Sequence, residues 1–146
     1  MISLYDKPGG NQLSQSSNNF YLPFEFTFNG NTGGAIIKQV YIRNNNEDRY
    51  YTGLTLQPLD SGSFNHTVNN KWNWKLIVGD VEPTHEDWIH TTAGALISLS
   101  DLGSSSSGDT YTYLSVWIRA EVPARRPAQN IKAISLQLNG EENLVS

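Results

Sequence analysis

Hydrophobic and polar positions alternate along the chain in short runs, and the longest run is Thr110–Val122. Leu114, Val116, Ile118, Ala120 and Val122 fall on one face, and Tyr113, Ser115, Trp117, Arg119 and Glu121 on the other. A period of two sustained this long predicts a β-strand with one face in a core and one outside. The same period recurs in Phe24–Phe28, with three Phe on one side. It recurs in Ile36–Arg43, with Val40 and Ile42 inward and Tyr41 and Arg43 outward. Tyr50–Gln57 carries Leu54 and Leu56, with Pro58 as its expected stop. Trp72, Trp74, Leu76 and Val78 define a further strand, closed by Gly79-Asp80. Ala95–Ser100 gives a short one. Ile131–Leu138 gives the last, with Ile134, Leu136 and Leu138 inward and Asn139-Gly140 as its end.

Turn residues separate these runs: Asn29-Gly30-Asn31 with Gly33-Gly34, then Asn44–Arg49, then the Ser-rich tip Asp101–Asp109. The only helix-like signal is Pro83–Trp88, where Thr84 is placed to cap a single turn. About seven strands with no periodic helix predict an antiparallel β-sandwich over residues 20–140. Residues 1–19 are polar and aperiodic apart from Ile2, Leu4 and Tyr5 at the tip. They read as an N-terminal arm, either flexible or docked on a neighbouring subunit through those three residues. Residues 141–146 read as a short tail.

Composition narrows the function. At 146 residues the chain is long enough to bury one core. It contains no Cys, so disulfides, thiolate metal sites and Cys nucleophiles are excluded. Charged residues are 16% of the chain, below the roughly 25% usual for globular domains, and Asn, Ser, Thr and Gly take up the difference. Net charge is −4 and the ten basic residues are scattered, which argues against a nucleic-acid partner. The first ten residues have neither a basic nor an apolar signal region, and no apolar run approaches the roughly 18 residues needed to span a bilayer. The expectation is a mature form or a protein released without a signal, and no membrane partner.

Candidate chemistry is sparse. His85-Glu86-Asp87-Trp88-Ile89-His90 gathers metal-ligating types. However, its two His are spaced i and i+5, whereas a shared helical metal site needs i and i+4. The plainer reading is a polar connector with Trp88 pinned to the core. Ser never occurs in a Gly-x-Ser-x-Gly elbow, and no phosphate loop or dinucleotide fingerprint precedes a helix. The reading is non-enzymatic, with no cofactor and no metal.

The outer face of the long strand is more informative, because Tyr, Trp and Arg are enriched in protein interfaces. Tyr113, Trp117 and Arg119 are the leading contact residues, and Tyr41 and Tyr51 are expected to join them. Val122–Ala128 is a Pro-stiffened loop that displays Arg125 and Arg126, suited to bidentate contact with carboxylates. A carbohydrate platform built on the same aromatics is the alternative.

Val40-Tyr-Ile-Arg-Asn44 followed by Tyr50-Tyr-Thr-Gly-Leu-Thr-Leu56 resembles paired strands of immunoglobulin-like sandwich domains. Gly108–Arg119, the Pro loop and Ile131–Leu138 resemble the final strand pair of that class. A small immunoglobulin-like sandwich with no Cys, no signal and polar ends looks most like virion proteins of tailed bacteriophages. That resemblance implies a capsid decoration (cement) protein or a tail or baseplate accessory subunit, made in the host cytoplasm and located in the virion. Its expected partners are major capsid or tail proteins, and itself as a homo-oligomer. It implies attachment through the arm, the strand edges and the aromatic face.

Overall fold

The computed structural model describes residues 2–15, 21–23, 26–28, 34–60, 73–92, 94–104, 113–122, 129–131 and 134–145. Among them are eleven strands and one short helix. In chain order the strands are β1 (Ile2–Tyr5), β2 (Gln12–Gln15), β3 (Tyr21–Pro23), β4 (Phe26–Phe28), β5 (Gly34–Asn44) and β6 (Arg49–Asp60). There follow β7 (Asn73–Val78), helix α1 (His85–Ile89), β8 (Ile97–Ser98), β9 (Tyr113–Val122), β10 (Gln129–Ile131) and β11 (Ile134–Leu144). A five-stranded sheet has the order β2-β1-β5-β9-β7, and a four-stranded sheet the order β3-β11-β6-β8. β10 and β4 form a separate two-stranded ribbon. All pairings are antiparallel.

The two larger sheets pack together on one core. Ile2, Leu4, Val40, Ile42, Trp74, Leu76, Val116, Ile118 and Ala120 enter it from the five-stranded sheet, and Leu54, Leu56, Leu136 and Leu138 from the other. Alternation along β5, β7 and β9 supplies this set directly, because every second side chain of a strand faces the same side. The chain is therefore an all-β sandwich of two antiparallel sheets.

Sequence expectations change at several points, four of them in how the strands run. The arm is the first. Residues 2–15 form a hairpin of the chain's own sheet, with Ile2 and Leu4 fully buried and Tyr5 only 6% exposed. β1 lies between β2 and β5, with Ile2 opposite Asn44 and Tyr5 opposite Tyr41. Pro8-Gly9-Gly10 belongs to its turn, where Gly9 has φ +71°, a value that suits glycine. The Asp6 carboxylate accepts from the Asn11 N–H at 2.7 Å and closes that turn. The anchor residues thus dock within the same chain; residues 16–19 lie outside the described set.

Pro58 is the second change: β6 runs through it to Asp60. The Leu99 N–H donates to the Leu54 carbonyl at 2.8 Å, so the main chain of Leu54, and by alternation that of Pro58, faces the β8 side. β8 pairs only with Thr55 and Leu56, so the N–H that Pro58 lacks is not needed by the ladder.

The third change is at Asn139-Gly140, which does not end the last strand. β11 shifts register between Asn139 and Glu141 and continues to Leu144, so residues 141–144 are strand and not tail. A Cβ on Gly140 would come within 2.5 Å of Leu54 Cδ2 and 3.0 Å of the Thr52 carbonyl oxygen, so any other residue here would force the buried Leu54 side chain to move. Fourth, the strand expected at Ala95–Ser100 is reduced to Ile97–Ser98. Phe24, Trp72, Arg125 and Arg126 lie outside the described residues.

Two polar ties fix the sandwich ends. Buried Asn44 donates from Nδ2 to the carbonyls of Arg49 (2.8 Å) and Gly103 (3.0 Å), and its Oδ1 accepts from the Asn46 N–H at 2.9 Å. Tyr51, expected on the outer face, is instead 2% exposed in the core. Its hydroxyl donates to Glu142 Oε1 at 2.8 Å and accepts from Asn46 Nδ2 at 2.9 Å. Burial, and then the Glu142 carboxylate, push the Tyr51 phenol up to about 12.

Candidate interaction face

The outer surface of the five-stranded sheet is built in cross-strand rows. Ile37, Arg119 and Lys75 stand side by side on β5, β9 and β7. Gln39, Trp117 and Ile77 form the next row on the same three strands. Tyr5, Tyr41 and Ser115 follow on β1, β5 and β9, and Ser3, Arg43 and Tyr113 come last. Tyr113, Trp117 and Arg119 thus share one surface, as their alternation predicts, and each is half-buried. Three cations occur among these twelve side chains, and the next row on β5, β9 and β7 is Ala35, Glu121 and Asn73.

The rows differ in how far they are already knitted. Tyr5 and Tyr41 each meet Tyr113 edge-on, with centroids 6.0 and 6.2 Å apart. The Arg43 guanidinium lies 4.4 Å from the centroid of the Tyr5 ring. The Tyr113 hydroxyl accepts from the Gly9 N–H at 2.9 Å, which pulls the β1–β2 turn over this end of the sheet. Arg43 also donates to the Tyr113 hydroxyl at 3.3 Å, and Asn45 Nδ2 donates to Ser3 Oγ at 2.7 Å. Tyr5 is buried by this roof.

The Trp117 and Arg119 rows are more open, and Ile37 is 40% exposed. The Trp117 indole N–H donates to the Gly79 carbonyl at 3.1 Å, which fixes the ring beside the end of β7. Gln39 Nε2 donates to Ser115 Oγ at 2.7 Å. Lys75 reaches past the sheet edge and donates to the Trp88 carbonyl at 2.9 Å.

Residues 79–94 run beside the free edge of β7. They begin where the Gly79 N–H donates to the Ser115 carbonyl (2.9 Å) and end where the Gly94 N–H donates to the Trp74 carbonyl (2.7 Å). α1 lies inside this segment. Thr84 caps it as the sequence predicts: Thr84 Oγ1 accepts from the Asp87 N–H at 3.2 Å and the Asp87 carboxylate accepts from the Thr84 N–H at 2.8 Å. Hydrogen bonding from Thr84, its backbone N–H first, holds the Asp87 carboxyl below the ordinary carboxylate value. Trp88 is buried, as expected of a pin; its indole N–H has no acceptor among the described residues.

His85 and His90 are both exposed, and His90 Nδ1 lies 2.8 Å from the Glu86 carbonyl. Among the described residues no group of three or more His, Asp and Glu is placed to hold a metal ion.

Several members of this surface escaped the sequence reading. Ile37, Lys75 and Ile77 carry the opposite parity to the buried positions of their strands, so alternation could have placed them. Tyr5 could be placed only once β1 was paired with β5. Val78, expected inward, is 45% exposed because it ends its strand. No family model, curated protein or solved structure matches the chain.

Proposed function

We propose that the chain is a non-enzymatic structural subunit of a tailed-phage particle, an immunoglobulin-like sandwich that decorates the capsid and assembles through the outer face of its five-stranded sheet. The observation that carries this reading is the composition of that face. Trp117, Tyr113, Tyr41, Arg43 and Arg119 stand on adjacent strands of one sheet. Tyr and Trp concentrate binding energy in interfaces because each ring buries a large area at a small cost in rotamer entropy, and Arg because its planar guanidinium makes several directed hydrogen bonds. A rigid sheet also loses little further freedom on docking. The Cys-free, Asn- and Ser-rich composition fits the virion setting. A protein partner is favoured over a sugar because Tyr5, Tyr41 and Tyr113 pack edge to face on one another, which occupies ring surfaces that a stacking platform would offer.

The test is the number of copies carried by purified virions, counted by quantitative mass spectrometry. Wild type should be present in many copies per particle and Trp117→Ala should be lost, while melting as a folded domain. Absence of the wild-type chain from the particle, or normal loading of Trp117→Ala, would refute the proposal.

A further inference from the structure

Asn-Gly occurs twice in the chain, at Asn29-Gly30, outside the described residues, and at Asn139-Gly140 within β11. Asn139 and Gly140 are both exposed. Asn139 stands opposite Thr55 and Glu141 opposite Thr52, so Gly140 faces both Gly53 and Leu54 and the ladder is irregular at that step. Gly53 has φ +61°, the left-handed value that a glycine takes in such a bulge.

The stretch beyond this step is weakly anchored. β3 flanks β11 only along Ser135–Gln137, so among the described residues the chain from Asn139 onward pairs with β6 alone. Leu136 and Leu138 are the side chains that β11 gives to the core. Glu141, Glu142, Leu144 and Val145 are exposed, and Asn143 is half-buried. Apart from the ladder, polar contacts hold them. The Tyr51 hydroxyl donates to Glu142, Asn143 Nδ2 to Thr52 Oγ1 at 3.1 Å, and the Val145 N–H to the Asp48 carbonyl at 3.0 Å. A segment of this kind opens locally at a free energy below that of global unfolding.

We infer that Asn139 is a site of spontaneous self-modification whose product uncouples the end of β11 from β6. Local opening brings the Gly140 nitrogen to the Asn139 side chain, and glycine has no side chain to shield it. The nitrogen bonds to Asn139 Cγ, the Cγ–Nδ2 bond breaks, and Nδ2 leaves as ammonia with the proton lost by Gly140. Water then opens the cyclic imide. Attack at Cγ gives aspartate. Attack at the Asn139 main-chain carbonyl gives isoaspartate, whose main chain is one carbon longer. Strand pairing repeats in whole residues, so the extra carbon disrupts the pairs from Glu141–Thr52 to Leu144–Arg49. It cannot be absorbed at Gly140, where Leu54 Cδ2 already fills the space that a Cβ would need. Glu142 is thereby drawn off Tyr51. The site lies on the four-stranded sheet, whereas the proposed assembly face belongs to the five-stranded one.

The experiment incubates the folded chain in heavy-oxygen water at physiological temperature and neutral pH. It lasts as long as the urea-unfolded chain needs to convert Asn139 completely. An acidic species should accumulate whose Asn139 peptide carries solvent oxygen, and electron-transfer fragmentation should show isoaspartate in it. Peptide mapping assigns the site, because Asn29-Gly30 has the same chemistry. Asn143, in the same segment but followed by Leu144, should convert at least about tenfold more slowly. Asn139→Gln should stay intact, because its longer side chain disfavours the ring. In the isolated isoaspartyl form, amide exchange should lose its protection from Glu141 to Leu144. Freshly purified Asn139→Asp, which adds the charge without the carbon, should keep it. The inference is overturned if Asn139 stays intact in the folded chain, if Asn143 converts as fast, or if the isoaspartyl form exchanges like Asn139→Asp.

Discussion

Leu4→Ala separates a strand of the core from a docking arm. Leu4 has no exposed surface and packs in the core with Ile2, Val40 and Ile42, on a strand held between β2 and β5. Truncation removes about three carbons from that core, worth roughly 2 kcal/mol of transfer free energy at ~0.8 kcal/mol per methylene. A cavity term follows, because a sheet hydrogen-bonded on both sides cannot collapse freely. The expected loss is about 3 kcal/mol, within the range seen for buried Leu→Ala changes. For a domain of this size it lowers the melting temperature by roughly 6–12 °C. Leu13→Ala on β2 is the control, since Leu13 is 48% exposed; it should change stability by less than ~1 kcal/mol. Urea unfolding followed by Trp fluorescence measures both, with an unchanged slope showing that the unfolded states are comparable. If Leu4→Ala proved as mild as Leu13→Ala, the hairpin would not be part of the folded core, and the arm reading would regain its place. Removing residues 2–15 altogether should abolish cooperative folding and not merely attachment.

Two further outcomes follow from buried polar groups. The Tyr51 phenol is raised from 10 to about 12 in the folded chain, so its contribution to stability is complete below pH 10 and is lost as pH rises from 10 towards 12. Ultraviolet titration should show a late-ionising tyrosine that Tyr51→Phe removes, and that variant should lose about 1 kcal/mol at neutral pH; a titration curve left unchanged by Tyr51→Phe above pH 10 would contradict the buried Tyr51–Glu142 contact. Trp88→Phe deletes an indole N–H that is buried with no acceptor among the described residues, a group whose burial costs ~1–3 kcal/mol. That gain should offset much of the lost area, leaving thermal stability within about 1 kcal/mol of wild type, whereas Trp88→Ala should lose ~3–5 kcal/mol. A Phe variant as damaged as the Ala variant would mean that the N–H is satisfied.

What the sequence discloses here depends on whether the deciding interaction is local. β9 is legible because Val116, Ile118 and Ala120 repeat every second residue, and the same rule puts Tyr113, Trp117 and Arg119 together on the far side. Thr84 and Asp87 are legible because a capping box spans only four residues. β1 is not, because Ile2–Tyr5 is too short to show a period and its partner, β5, starts some thirty residues away. Its Pro-Gly-Gly turn has the composition of a tail. Pro58 and Gly140 fail for one shared reason: each looks like a strand terminator until its neighbours are known. Pro58 sits where the ladder beside it has already ended, and Gly140 where β6 and the Leu54 side chain come close. The interaction face divides in the same way. Its β9 members follow from alternation, but the rows that join them to Tyr41, Lys75 and Tyr5 are set by register between strands. Register is fixed by the whole core and not by any segment. Glu86 and Asp87 enter the sequence reading only as members of the His85–His90 cluster weighed for metal. Its place along the β7 edge is set by the backbone contacts of Gly79 with Ser115 and of Gly94 with Trp74, which no local pattern announces.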